Sequence, residues 1–105
     1  MIQHIVLCDL RPDHDPQELK AVMDGLRNLQ GQLPGFTDFS AGPNRDFESM
    51  SPGYGYGFVC KFADIATAQA YLVNPDHQAL GARLVGLCSD GVKGLRVIDL
   101  ETEAV

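Results

Sequence analysis

The stretch Ile2–Leu10, which reads IQHIVLCDL, decides the fold because it predicts a β-strand that is apolar on both faces. Alternation places His4, Val6 and Cys8 on one face and Ile5 and Leu7 on the other. A strand with one face in water alternates apolar with polar residues instead. We therefore expect both faces of the sheet that contains this strand to be covered.

The rest of the chain predicts a helix, two strands, two short helices and a last strand. The run Asp15-Pro16-Gln17-Glu18 is typical of a helix start, and Pro34-Gly35 follows its end. Residues 36–42, 54–62 and 92–100 are predicted strands, and Asp64 and Asn74 are predicted helix caps. The order βαββαβ predicts an α+β, ferredoxin-like domain over residues 1–105, with a four-stranded antiparallel sheet and helices on one face.

The second face of this sheet is predicted to be apolar. Its expected members come from the first, third and last strands: Ile5, Leu7, Val59, Leu95 and Val97. An apolar patch of this kind left in water promotes aggregation, and a second copy of the same sheet would cover it. The sequence therefore predicts a homodimer formed by sheet-to-sheet packing.

Composition limits the classes of partner. With 105 residues, of which 45% are hydrophobic and 21% charged, the chain is typical of one globular domain. Its 8 basic residues against 14 acidic ones give a net charge of −6, which repels nucleic acids and anionic membrane surfaces. No stretch of about 18 consecutive apolar residues is present, so we expect no membrane partner.

The cysteines favour a reducing compartment. The chain has three cysteines, an odd number, and each lies in an apolar stretch: Cys8, Cys60 and Cys88. This pattern is typical of small buried thiols and not of a disulfide framework. We expect a cytoplasmic protein whose cysteines are structural, since a lowered thiol pKa needs basic neighbours and only Lys61 adjoins one of them.

Two histidines and a tyrosine are the candidate catalytic residues. In the run YLVNPDH, Tyr71 precedes His77 by six residues, and both could reach the sheet face that carries His4. Two imidazoles and a phenol in an apolar pocket suit acid–base chemistry near neutral pH. A histidine within an apolar strand is more often structural. The residues alone therefore leave catalysis, ligand binding without chemistry and a structural role open.

Metal and nucleotide sites are not predicted. The cluster Asp13-His14-Asp15 lies in a loop, and no second cluster with metal-ligand spacing accompanies it. The glycine-rich run 53–57 lacks the strand, turn and helix context of a dinucleotide-binding loop. We expect no metal and no cofactor.

Several short motifs resemble the stress-responsive A/B barrel domain family of the dimeric α+β barrel superfamily. They span nearly the whole chain and are His4-Ile5-Val6-Leu7, Pro34-Gly35-Phe36, Gly42-x-Asn44, Phe62-x-Asp64, Tyr71-x-x-x-Pro75-x-His77 and Val97-x-Asp99. The resemblance implies a ferredoxin-like monomer whose sheet packs on that of its mate, giving a dimeric α+β barrel.

The resemblance also implies roles for the candidate residues. One family member, the plant olivetolic acid cyclase, closes a polyketide by aldol condensation without a cofactor. By analogy, His77 would be the base, Tyr71 would hydrogen-bond the enolate and His4 would support them, acting on a small aromatic or polyketide-like ligand. The implied pocket residues are Val6, Cys8, Met23, Leu26, Phe58 and Cys88. The alternatives are a cofactor-free monooxygenase-like relative and a non-enzymatic stress-response or ligand-binding dimer.

Overall fold

The strands and helices follow the predicted βαββαβ order. The computed structural model describes residues 1–103. A short 3₁₀ helix, Gly91–Gly94, precedes the last strand. The other elements are β1 (Ile2–Cys8), α1 (Pro16–Gln32), β2 (Phe36–Pro43), β3 (Tyr56–Phe62), α2 (Ile65–Leu72), α3 (Pro75–Val85) and β4 (Leu95–Glu101). Within the described residues, every helix is too short or too polar to cross a bilayer.

The predicted caps start the three α-helices. The side chains of Asp15, Asp64 and Asn74 each accept a hydrogen bond from a backbone N–H in the first turn of their helix. The cap of α3 matters most for the site, because the Asn74 side chain accepts from the backbone N–H of His77 at 3.1 Å. Pro75, at the first helical position, has the backbone φ that a helix requires. Local sequence thus fixes where His77 lies.

The sheet has the strand order β2-β3-β1-β4 and is antiparallel throughout, which is the ferredoxin-like arrangement. β1 is a central strand, and its register places His4 between Cys60 on β3 and Asp99 on β4. Burial alternates along β1, as predicted: Ile2, His4, Val6 and Cys8 are buried against the helices. Gln3, Ile5 and Leu7 lie on the opposite, outer face and are half-buried in the isolated chain.

The sequence analysis assigned Leu95 and Val97 of β4 to the wrong face of the sheet. Leu95 and Val97 lie opposite Cys8 and Val6 of β1, and therefore on the same side of the sheet as the helices, where Val97 is still 52% exposed because β4 is an edge strand. Apolar residues occupy both sets of alternate positions in β4, so its composition does not define a face; pairing with β1 does. The outer face of β4 instead carries Arg96, Ile98 and Leu100.

The corrected outer face is still apolar at its centre. It contains Ile5 and Leu7 of β1, Val59 of β3, and Ile98 and Leu100 of β4. Ile98 is 45% exposed and Leu100 is 48% exposed, so about half of the surface of each residue stays open to solvent within the described chain. The sheet is therefore apolar on both faces, as the sequence of β1 predicted.

We predict that the three thiols react slowly in the native protein. Cys8, Cys60 and Cys88 are free and buried, and burial raises the pKa of both Cys8 and Cys60 to about 12. A thiol reagent needs an accessible thiolate. Mass spectrometry should find little labelling over minutes without denaturant and three labels after unfolding. Labelling within seconds in the native state would contradict the packing described.

Candidate functional site

His4 is the buried polar residue around which the site is built. It lies in the middle of β1 and is only 6% exposed. Its Nδ1 lies 2.5 Å from Oδ1 of Asp99, the residue directly opposite it on β4. The carboxylate fixes the orientation of the imidazole ring, because it provides the partner that a buried polar nitrogen requires.

Asp99 is a site residue that the sequence analysis did not select. It appeared only in the motif Val97-x-Asp99, without a role. The missing step was strand register: once β1 and β4 pair as antiparallel neighbours, His4 and Asp99 face each other on the helix-covered side.

Tyr71 lies in the last turn of α2 and is fully buried. Its ring meets the His4 ring edge-on, with centroids 5.8 Å apart. Its hydroxyl lies 3.9 Å from Sγ of Cys60, a weak hydrogen-bonding partner. Burial raises the pKa of Tyr71 above its ordinary value, so the phenol stays protonated and can act as a hydrogen-bond donor.

His77 lies in the first turn of α3, with its ring centroid 3.9 Å from that of Tyr71. Burial lowers the pKa of His77; the backbone of Leu72 opposes this, and the His4 imidazole adds to it. Its Nδ1 is buried and has no hydrogen-bond partner among residues 1–103. The net lowering of the pKa favours a neutral imidazole near pH 7, which is the form that can accept a proton.

A cavity of about 190 Å³ lies between the sheet and the helices, and the three candidate residues His4, Tyr71 and His77 border it. The rest of its wall is apolar and comes from all three helices and three strands: Val6, Leu26, Phe58, Leu72, Leu80, Gly81, Leu84, Leu95 and Val97. The structure thus brings the two imidazoles and the phenol together at an apolar cavity.

The implied pocket residues divide into two groups. Val6, Leu26 and Phe58 border the cavity. Cys8, Met23 and Cys88 are buried in the core and are not part of its wall. Leu95 and Val97, which the sequence analysis placed on the outer face, border the cavity instead.

The loop histidine lies apart from this site. The Nδ1 of His14 is 2.7 Å from the backbone carbonyl oxygen of Arg11. Within residues 1–103, no three His, Cys, Asp or Glu side chains are arranged to hold a metal ion. Because His14 does not border the cavity, a substitution there is a suitable control for the two cavity histidines.

Comparisons with known proteins give a family and several similar folds. The family model described as the stress responsive A/B barrel domain matches residues 2–102. A dimeric ferredoxin-like protein of unknown function from Jannaschia sp. CCS1 is 42% identical, with a TM-score of 0.90, and the match covers 96% of this chain and 98% of that one. The comparison with curated proteins gave no match.

Two similar structures with described activities are distant in sequence. The hydroxynitrile lyase from Passiflora edulis is 13% identical with a TM-score of 0.80, and the match covers 99% of this chain and 94% of that one. SnoaB, a cofactor-independent oxygenase from Streptomyces nogalater, is 13% identical with a TM-score of 0.74 and the same coverage. At this identity the similarity shows a common fold and leaves the reaction to be inferred from the site.

We predict that Asp99→Ala destabilises the fold, because it leaves Nδ1 of buried His4 without its partner. The expected cost is about 1–3 kcal/mol in the free energy of unfolding, measured by urea titration. Asp38→Ala, at an exposed aspartate of β2, is the matched control and should change the value by less than about 0.5 kcal/mol. Equal effects of the two substitutions would show that the His4–Asp99 contact contributes nothing.

We predict that His77 contributes to acid lability. Its folded-state pKa lies below the ordinary 6.5, so below that pH the unfolded chain binds a proton that the folded chain does not. The free energy of unfolding should therefore fall as pH drops from 6.5, and His77→Gln should make that fall shallower. Parallel curves for His77→Gln and the unchanged protein would contradict the lowered pKa.

Proposed function

Because the chain belongs to the stress-responsive A/B barrel domain family, we propose that it performs cofactor-free acid–base chemistry on a small, largely apolar compound with an enolisable or aromatic group. The observation that carries this proposal is the position of His77. Its imidazole, with a lowered pKa, packs on the Tyr71 ring at the edge of an apolar cavity. A neutral imidazole beside an apolar binding space is a suitable general base.

We assign a role to each polar residue. His77 takes a proton from the carbon next to a carbonyl group, and Tyr71 donates a hydrogen bond to the enolate oxygen that develops. His4, oriented by Asp99, supports these two groups from the sheet. Val6, Leu26 and Phe58 contact the apolar part of the ligand, whereas Cys8, Met23 and Cys88 belong to the core behind it.

This proton transfer defines a reaction class rather than one product. Removing a proton next to a carbonyl is the first step of an aldol cyclisation, such as the one that the plant olivetolic acid cyclase of this family performs on a polyketide. A lyase that acts by the reverse aldol reaction would use the same base in the opposite sequence. His77 would take the proton of the β-hydroxyl group, the carbon–carbon bond would break to release a second carbonyl group, and the enolate that remains would take the proton back at carbon. We propose this class because the cavity offers a base and a hydrogen-bond donor against apolar walls.

Ligand binding without chemistry is the second candidate. The full burial of Tyr71 favours it, because a hydroxyl that faces Cys60 Sγ must move before it can meet a ligand. A dimer of this kind would act in a stress response through the bound compound. The two candidates differ in one measurable property, which is proton exchange at a bound carbonyl compound.

We predict that the protein accelerates deuterium uptake next to the carbonyl of phenylacetone, a single-ring ketone, in D₂O near pH 7. A positioned general base contributes about 10²- to 10⁴-fold, so the exchange followed by NMR should rise well above background. His77→Gln should reduce the rate to background, and Tyr71→Phe should lower it. His14→Gln should leave it unchanged, because His14 lies in a loop away from the cavity.

Each other outcome selects a different function. Phenylacetone that shifts the His77 signals without exchange would support ligand binding alone. Consumption of dissolved oxygen with an electron-rich aromatic compound would instead favour the monooxygenase-like alternative. Unfolding of His77→Gln and Tyr71→Phe, with no shift of either cavity histidine by any tested compound, would assign the motif to the fold.

We also propose that the chain forms a homodimer through its outer sheet face. Five apolar residues lie on that face, of which Ile98 and Leu100 are exposed and the other three half-buried in the isolated chain: Ile5, Leu7, Val59, Ile98 and Leu100. The protein from Jannaschia, 42% identical, is described as dimeric. A stable interface of the usual size buries about 1,200–2,000 Å² in total. Packing one outer face on another would complete an α+β barrel.

We predict that Ile98→Glu yields monomers or aggregates, because it places a charge next to Ile5 among the apolar residues of the outer face. Sedimentation at micromolar concentration should find a dimer for the unchanged protein. Val92→Glu is the matched control, since Val92 is 69% exposed and lies outside the sheet. A monomer for the unchanged protein, or a dimer that survives Ile98→Glu, would exclude this interface.

The free thiols support a cytoplasmic location, which we propose on their account. Cys8, Cys60 and Cys88 are unpaired, and a reducing compartment preserves thiols in that state. No nucleic acid is expected as a partner, because the net charge of −6 repels phosphate backbones.

A further inference from the structure

Two helical glycines, Gly25 of α1 and Gly81 of α3, differ in what surrounds them. A Cβ atom at Gly25 of α1 would lie 2.6 Å from Cδ2 of Leu80, so Leu80 packs directly on the α1 backbone. A Cβ at Gly81 of α3 would meet no heavy atom within 4 Å, although Gly81 borders the cavity. The absent side chain at position 25 allows close packing, whereas at position 81 it leaves open space.

The cavity is polar at one end and apolar at the other. Two elements change from polar to apolar in the same direction: His4 to Val6 along β1, and His77 through Gly81 to Leu84 along α3. Along β4, Val97 and Leu95 border the cavity opposite Val6 and Cys8, and Asp99, which bonds His4, lies outside its wall. β1 and α3 run in the same direction, because their first residues at the cavity, His4 and His77, both border it, and their far ends meet at the antiparallel bridge between Leu10 and Cys88. The cavity therefore suits a ligand with a polar head and an apolar tail.

Gly81 lies where the tail of such a ligand would pass. It follows His77 by four residues, which places it one helical turn, about 6 Å, further along the same side of α3. Val6 follows His4 by about 7 Å along β1, at a similar distance from the polar end. A head group at His77 would thus send its tail between Gly81 and the sheet.

We propose that Gly81 is the specificity-determining residue of the cavity and that it admits ligands with a carbonyl head and an extended apolar tail. This inference rests on the proposed function, because it assumes that the head lies at His77. The cavity, at about 190 Å³, exceeds the roughly 150 Å³ that holds benzene in an engineered protein cavity. A tail of a few carbons is the size that fits.

The test uses a series of methyl ketones that differ only in tail length: 2-butanone, 2-hexanone and 2-octanone. Dissociation constants come from NMR titration of the His77 imidazole signals. In the unchanged protein, each added methylene that becomes buried should tighten binding by up to about fourfold. In Gly81→Leu, 2-butanone should bind within about twofold of its original affinity, while the gain with tail length should disappear.

Gly31→Leu is the matched control. Gly31 also lies in a helix, is exposed, and would place a Cβ with no heavy atom within 4 Å, but it does not border the cavity. Both variants should unfold at temperatures no lower than the unchanged protein, since leucine favours helix more than glycine does. If Gly81→Leu fails to fold, Gly81→Ala replaces it and should weaken binding of 2-octanone before that of 2-butanone.

The outcomes separate this inference from the proposed function. If the unchanged protein binds the ketones and the Gly81 variant keeps the full dependence on tail length, the role of Gly81 is excluded while the ligand cavity stands. The same holds if Gly31→Leu loses that dependence as Gly81→Leu does. If no ketone shifts the His77 signals of the unchanged protein, the ligand cavity and the role of Gly81 both fail.

Discussion

The hydrogen bond between His4 and Asp99 connects the register of the sheet with the chemistry proposed for it. It forms because the pairing of β1 with β4 places these two residues directly opposite each other. A buried imidazole without a partner destabilises a fold, and an imidazole that can rotate is poorly placed for catalysis. The same carboxylate removes both problems. A structural role and a functional role for His4 are therefore compatible.

The segment from Tyr71 to His77 combines helix initiation with the polar end of the cavity. Asn74 and Pro75 start α3, and the Asn74 side chain accepts a hydrogen bond from the backbone of His77. Tyr71 fills the core just before this cap and packs on the His77 ring. Part of the motif thus encodes the fold, so its presence in a sequence is by itself weaker support for catalysis than the cavity beside it.

The sequence predicted those features that depend on neighbouring residues. The helix caps were predicted correctly at Asp15, Asp64 and Asn74, because capping depends on residues within one helical turn. The residues of each face of β1 were also predicted correctly, because successive side chains of a strand point to opposite faces whatever the strand pairs with. The face of β4 was wrong and the role of Asp99 was missed, because both depend on pairing with a strand about ninety residues earlier. Likewise, Cys8, Met23 and Cys88 are core residues because the packing of helices on the sheet, and not sequence position, shapes the cavity.

The seven residues of β1 contribute to two surfaces. His4 and Val6 border the cavity, whereas Ile5 and Leu7 belong to the outer face. A strand alternates with a period of two, so a single inserted or deleted residue would exchange these surfaces. Isoleucine would then replace histidine beside Asp99, and a histidine would enter the apolar outer face. We therefore expect β1 to tolerate substitutions of similar size but no change in length, and we expect changes in chain length to fall in the connections between the strands and helices.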